Sequence, residues 1–117
     1  MPFLKFDEIA ACEIAPGFHS QLLHTGSQTL NFIEVDAGSE VPLHSHVHEQ
    51  LSFVLEGQFE MTIAGEVQVL EPGRFCHIPS GVQHGGRALT HCRLLDVFTP
   101  LREDYKAIGG LDLSATA

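Results

Sequence analysis

The amino-acid sequence predicts an all-β domain, built as an antiparallel sandwich or barrel. Three observations carry that prediction. Short runs of strand-forming residues recur at a spacing of roughly 8–12 residues. Turn residues close most of these runs. Helical periodicity is weak along the whole chain.

The elements follow in order. Thr29 to Asp36 (TLNFIEVD) is rich in strand formers and stops before Gly38. Leu51 to Leu55 and Phe59 to Ile63 flank Glu56-Gly57-Gln58, which reads as a tight hairpin. Ala64-Gly65-Glu66 is a second turn, leading into Val67 to Leu70. Glu71-Pro72-Gly73 is a third, and Phe75 to Ile78 then forms a strand ended by Pro79-Ser80-Gly81. Cys92 to Phe98 (CRLLDVF) reads as a well-buried strand before Pro100. The first twenty residues are expected to hold at most one short turn or strand, and Gly109 to Ala117 reads as a frayed tail. We expect a single domain over 1–117, with its core at about 28–106, an N-terminal extension over 1–27 and a C-terminal tail over 107–117.

Size and composition narrow the function. A chain of 117 residues favours one domain, and such a chain buries roughly two-thirds of its unfolded surface, so it needs no disulfides. Cys12, Cys76 and Cys92 form no paired motif and read as reduced, buried thiols. Fifteen acidic against six basic residues give a formal charge of −9, which disfavours a nucleic-acid partner. No apolar run is long enough for a membrane helix. The opening carries Asp7 and Glu8 where a signal peptide needs apolar residues, so a cytoplasmic protein is expected.

Chemistry concentrates in two glycine-bounded blocks. The first runs Gly38-SEVPL-His44-Ser-His46-VHE-Gln50-LSFVLE-Gly57, the second Gly73-RFCHI-Pro79-Ser-Gly81-VQ-His84. His44, His46 and Gln50 stand at i, i+2 and i+6, which on one strand would put all three on one face. His84 from a second strand would close a cage around one divalent transition metal ion (Ni, Fe, Mn, Co or Zn). His48 shares their parity and reads as lining the pocket, whereas Glu49 has the opposite parity and is expected at the surface. His19, His24, His77 and His91 belong to no constellation and are expected to be structural.

These blocks resemble the paired motifs of the cupin superfamily, which implies a double-stranded β-helix, or jelly-roll barrel. Two positions depart from the family pattern: Gln50 stands where Glu is usual, and Ala88 where Asn is frequent. An amide in place of a carboxylate leaves the ion its full charge, which favours Lewis-acid over redox chemistry. The segment Arg93 to Tyr105, taken with His44-Ser-His46-Val-His48-Glu49-Gln50 and His84-Gly85-Gly86-Arg87-Ala88, resembles the pectin-degradation (KdgF-like) cupins. That resemblance implies action on 4,5-unsaturated uronates, small anionic sugars, and a homodimer. It places Asp96, Phe98 and Arg102 in the pocket, Asp96 as acid/base, Arg102 and Phe98 against the substrate. The competing expectations are a cupin dioxygenase or isomerase acting on another small carbonyl compound, and a non-catalytic sugar- or metal-binding cupin. For Asp96 the alternative role is a buried ion pair with Arg93 or Arg102, and for Arg102 a surface pair with Glu103 or Asp104.

Overall fold

The computed structural model describes residues 3–115, folded as two antiparallel sheets facing each other. In chain order the elements are β1 (Ala11–Ala15), β2 (Phe18–His24), β3 (Thr29–Val35), β4 (Glu40–His44), β5 (Glu49–Glu56) and β6 (Phe59–Ile63). There follow β7 (Glu66–Leu70), β8 (Phe75–Ile78), β9 (His84–Ala88), β10 (Cys92–Thr99), α1 (Glu103–Ile108) and β11 (Leu111–Asp112). The large sheet runs β1-β2-β3-β10-β5-β8, with β11 added beside β2, and the small sheet runs β4-β9-β6-β7. This is the jelly-roll architecture the sequence predicts. Among the described residues no helix is long and apolar enough to cross a membrane.

Strict alternation builds the core. Along β10 the residues Cys92, Leu94, Asp96 and Phe98 are buried, while Arg93, Leu95 and Val97 face outward. Apolar side chains from both sheets meet in between: Phe18, Ile33, Val35, Val54 and Leu94 from the large sheet, Phe59, Met61 and Ala88 from the small one. Such burial is worth about 1.5–3 kcal/mol for each large side chain.

The structure corrects four expectations. Leu51–Leu55 and Phe59–Ile63 are not a hairpin: β5 pairs with β10 and β8, and β6 pairs with β7 and β9. The turn at Glu56-Gly57-Gln58 instead carries the chain from one sheet to the other. Gly57 has φ +86°, and a Cβ there would sit 2.2 Å from the His91 carbonyl oxygen, so only glycine passes. The true hairpin in this region is β6–β7, turned by Ala64 and Gly65. Secondly, residues 11–24 are no irregular leader but β1 and β2, which extend the large sheet. Thirdly, the tail is not frayed over 111–115. β11 pairs in parallel with β2, and a short 3-10 turn follows, while Thr116 and Ala117 lie outside the described residues. Lastly, Glu103–Ile108 is helical despite the weak periodicity.

A buried hydrogen-bond chain ties that helix to the barrel. The Arg102 backbone N–H donates to Thr29 Oγ1 (2.8 Å), and Thr29 meets His24 Nδ1 (2.9 Å). His24 Nε2–H then donates to the Gly109 carbonyl (2.9 Å), so both ends of α1 hang on one structural histidine.

Candidate metal centre

His44, His46, Gln50 and His84 do converge, but not from one strand as their spacing suggests. His44 ends β4 in the small sheet, His46 lies in the connecting loop, and Gln50 belongs to β5 in the large sheet. The loop crosses from sheet to sheet, so the donors meet across the barrel. A register shift between Val41 and His44 sets His44 opposite His84 on β9. Gly81, with φ +79°, donates its N–H to the His46 carbonyl (2.8 Å) and draws the second block against the first. The rings of His44 and His84 lie 4.3 Å apart, those of His46 and His84 4.8 Å. The nitrogen donors of His44, His46 and His84 fall within 4.8 Å of one another.

The tautomers can be read from the backbone. His44 Nδ1 donates to the Pro42 carbonyl (2.9 Å), His46 Nδ1 to the His48 carbonyl (3.0 Å) and His84 Nδ1 to the Val82 carbonyl (2.9 Å). A carbonyl only accepts, so each Nδ1 carries the proton and each Nε2 offers a lone pair. Burial, then the charge of Arg102, lowers the His46 pKa; burial is likewise the main cause lowering that of His84. Neutral imidazoles are what a metal needs. His46 Nε2 faces Gln50 Oε1 at 3.1 Å. With the proton on Nδ1 these are two acceptors pointing at each other, an arrangement that a cation between them would relieve. The four residues therefore fit a divalent first-row ion.

The neighbouring groups form a second part of the site. Asp96, 9% exposed, lines the same cavity as His44, Gln50 and His84. Burial raises its pKa to about 6, against the downward pull of the Ser52 hydroxyl and Arg102. Arg102 is 8% exposed, so it is not a surface residue. Its Nε and Nη2 nevertheless donate to Asp104 Oδ1 (3.0 Å) and Oδ2 (2.6 Å). That fork uses two of its five N–H donors. The guanidinium lies 3.7 Å from the Tyr105 ring centroid and 4.8 Å from that of Phe98. Phe98, 2% exposed, also sets its ring against His46 at 5.7 Å. It walls the cavity and supports both a candidate ligand and the arginine. The cavity is half open to solvent and holds about 70 Å³, room for an ion and a few water-sized groups.

His19 and His77 make surface ion pairs, whereas His48, expected to line the pocket, is not among the residues that line the cavity. His77 pairs with exposed Glu49 (2.6 Å), His19 with Asp36 (3.1 Å), and His48 packs edge-on near His46 and Phe98. Arg87 lies 3.8 Å from Glu60. Sequence reasoning missed Ser52, which bridges Gln50 and Asp96 by bonds of 2.8 and 2.7 Å. Its parity with Gln50, two residues earlier, was the available signal. It also missed Asn31, fully buried beside Asp96 with neither amide atom bonded to protein.

A two-sheet jelly roll with three converging imidazoles and an amide defines a small barrel protein with donors that could hold a single metal ion. The model of the cupin domain matches residues 31–98, and the chain belongs to the cupin family. An RmlC-like cupin from Shewanella frigidimarina is 32% identical, with a TM-score of 0.84 over 90% of this chain and 96% of its own. KdgF from Halomonas sp. is 29% identical, with a TM-score of 0.83 over 90% of this chain and 98% of its own. The pectin degradation protein KdgF of Dickeya dadantii is 34% identical over 64 residues, which span 53% of this chain and 58% of that protein. The chain is thus a KdgF-like cupin in sequence and fold.

Proposed function

We propose that the protein opens 4,5-unsaturated uronates, the sugar acids released by pectate and alginate lyases, from the cyclic form to the open-chain keto acid. The observation that supports this most is a buried carboxyl, its pKa pushed up to about 6 by burial, lining the same cavity as His44, Gln50, His84 and the Arg102 guanidinium. Similarity to the two KdgF proteins, one of them named for pectin degradation, points the same way.

The chemistry asks for what the cavity offers. The substrate is a cyclic vinyl ether with a carboxylate beside its double bond. Opening breaks the bond from C1 to the ring oxygen, makes a carbonyl at C1 and leaves an enolate at C5. Protonation at C4 then makes the C5 ketone. One proton leaves the hemiacetal hydroxyl and one arrives at C4, so a single carboxylate can serve both transfers. Asp96, ionised above about 6, takes the first and returns the second. Arg102, held by Asp104 and stacked between Tyr105 and Phe98, turns its remaining donors to the substrate carboxylate. A divalent ion on His44, His46, Gln50 and His84, when bound, supplies Lewis acidity and a positive potential for an acid sugar.

Outside the barrel, Phe32, Leu95, Phe53 and Phe75 form one continuous row across the large sheet. That row supports a homodimer, checked by light scattering. The free cysteines are in keeping with a cytoplasmic location.

The deciding experiment couples metal analysis of the purified protein to the ultraviolet absorbance of unsaturated galacturonate. Metal-dependent acceleration of the absorbance loss is expected. Saturable binding without that loss would instead make the protein a non-catalytic binding module, and oxygen consumption would make it a dioxygenase.

A further inference from the structure

We propose that Ser52 is a positioning residue: by holding the Gln50 NH2 group on the Asp96 side, it points the amide carbonyl at the histidine cage. The inference rests on the metal-centre reading given above and deepens it.

The residues form one directed chain. Gln50 Nε2 donates to Ser52 Oγ (2.8 Å), and Ser52 Oγ donates to Asp96 Oδ1 (2.7 Å). Gln50 and Ser52 sit two residues apart on β5 and share its inner face, and Ser52 is the register partner of Asp96 on β10. Gln50 and Ser52 are only 6% and 3% exposed, so water does not compete with these bonds.

The direction follows from counting protons. The two ends of a glutamine amide have nearly the same shape, and neighbours alone decide which end faces where. A cation needs the oxygen; the NH2 end would repel it. Ser52 has one hydroxyl proton. Asp96 Oδ1 accepts it when the carboxyl is ionised, and still accepts it when a proton sits on Oδ2. With Asp96 ionised, or protonated on Oδ2, Ser52 therefore offers Gln50 only lone pairs, which only the NH2 group can meet. The carbonyl is left facing His46, 3.1 Å away. Cys76, next in the same row, adds no competing anion, because burial pushes its thiol up to about 11. Ser52 also occupies Oδ1 of Asp96, leaving Oδ2 as the oxygen that exchanges protons with substrate. One hydroxyl thus serves the metal ligand and the acid together.

The test is a double-mutant cycle read by metal affinity, with Ni(II) titrated against a competing chelator. Melting curves establish that every variant is folded. Ser52→Ala should weaken Ni(II) binding by about tenfold or more, as losses of groups behind a ligand do, while Ser52→Thr should restore it. A carboxylate presents oxygen at both ends, so its orientation does not matter. In a Gln50→Glu background, Ser52→Ala should therefore change affinity by no more than about twofold. An equal loss in both backgrounds would make Ser52 merely structural and overturn the proposal, as would no loss beside Gln50. If the folded wild type binds no Ni(II), the metal-centre reading itself falls and takes this inference with it.

Discussion

The inner face of the large sheet has two halves that share strands β3, β10 and β5 and differ in almost everything else. Toward one end of the barrel, register places Ile33, Leu94 and Val54 side by side, an apolar row packed on Phe59 and Met61. Two residues further along the strands the next row reads Asn31, Asp96, Ser52 and Cys76, and the row beyond it Thr29, Phe98, Gln50 and Ile78. β3, β10 and β5 pair antiparallel through all three rows, so their ladder does not account for the difference. The first half holds the barrel together. The second carries a buried acid, a candidate metal ligand and an amide with no protein partner, groups that cost about 1–3 kcal/mol each when left unsatisfied. Seating them on central strands fixes their geometry without asking them to contribute stability.

Substitutions can break this contrast in order of size. Asp96→Asn should lower turnover by about 10²–10⁴-fold while metal content stays intact, since the amide oxygen still accepts from Ser52. In the wild type, kcat/KM should fall as pH drops through a value at or below about 6, because the ionised form takes the first proton and a bound cation adds to the pull of Arg102. Wild-type rates in the Asn variant would remove Asp96 from the mechanism.

Stability should respond with opposite signs in the two halves. Leu94→Ala should cost about 2–5 kcal/mol in denaturant melts at any pH. Asp96→Asn should instead stabilise the metal-free protein. The folded pKa lies above the usual 3.8, so the ionised form is disfavoured in the fold. The penalty is absent below about pH 4, grows as pH rises towards 6 and is then constant, on the order of 2–3 kcal/mol. A gain at pH 4 equal to that at pH 8 would contradict this. A smaller effect is expected at Arg102: Arg102→Ala should raise KM for uronates by about 10–100-fold, the worth of a charged hydrogen bond. Neutral analogues should be far less affected, and equal losses on both would make Arg102 structural.

Local composition explains what could be read from the chain. Runs of strand formers closed by turn residues revealed β3, β7 and β10, although β3 turns Thr29 and Asn31 inward and β10 turns Asp96. In β2 the run FHSQLLH holds one aromatic and no β-branched residue, so the strand was missed. Gly57 gave a true turn signal, but a local turn does not say which sheet the next strand joins; that depends on the close approach of His91, 34 residues away. The cage was legible because its four donors stand in two short blocks. Its assumed geometry, one face of one strand, was wrong because the chain changes sheets between His44 and Gln50. Ser52 shares the parity of Gln50, but the partner that gives it a role, Asp96, lies 44 residues further along the chain.

That change of sheets has a mechanical consequence. His44 and His84 belong to the small sheet and Gln50 to the large one, so a bound ion would rivet the two layers together at the open rim of the barrel. Loading would then tighten the whole sandwich and not just the rim. At a free-ion concentration one hundred times Kd the added stability is about 2.7 kcal/mol, visible as a rise in melting temperature that His84→Ala should abolish.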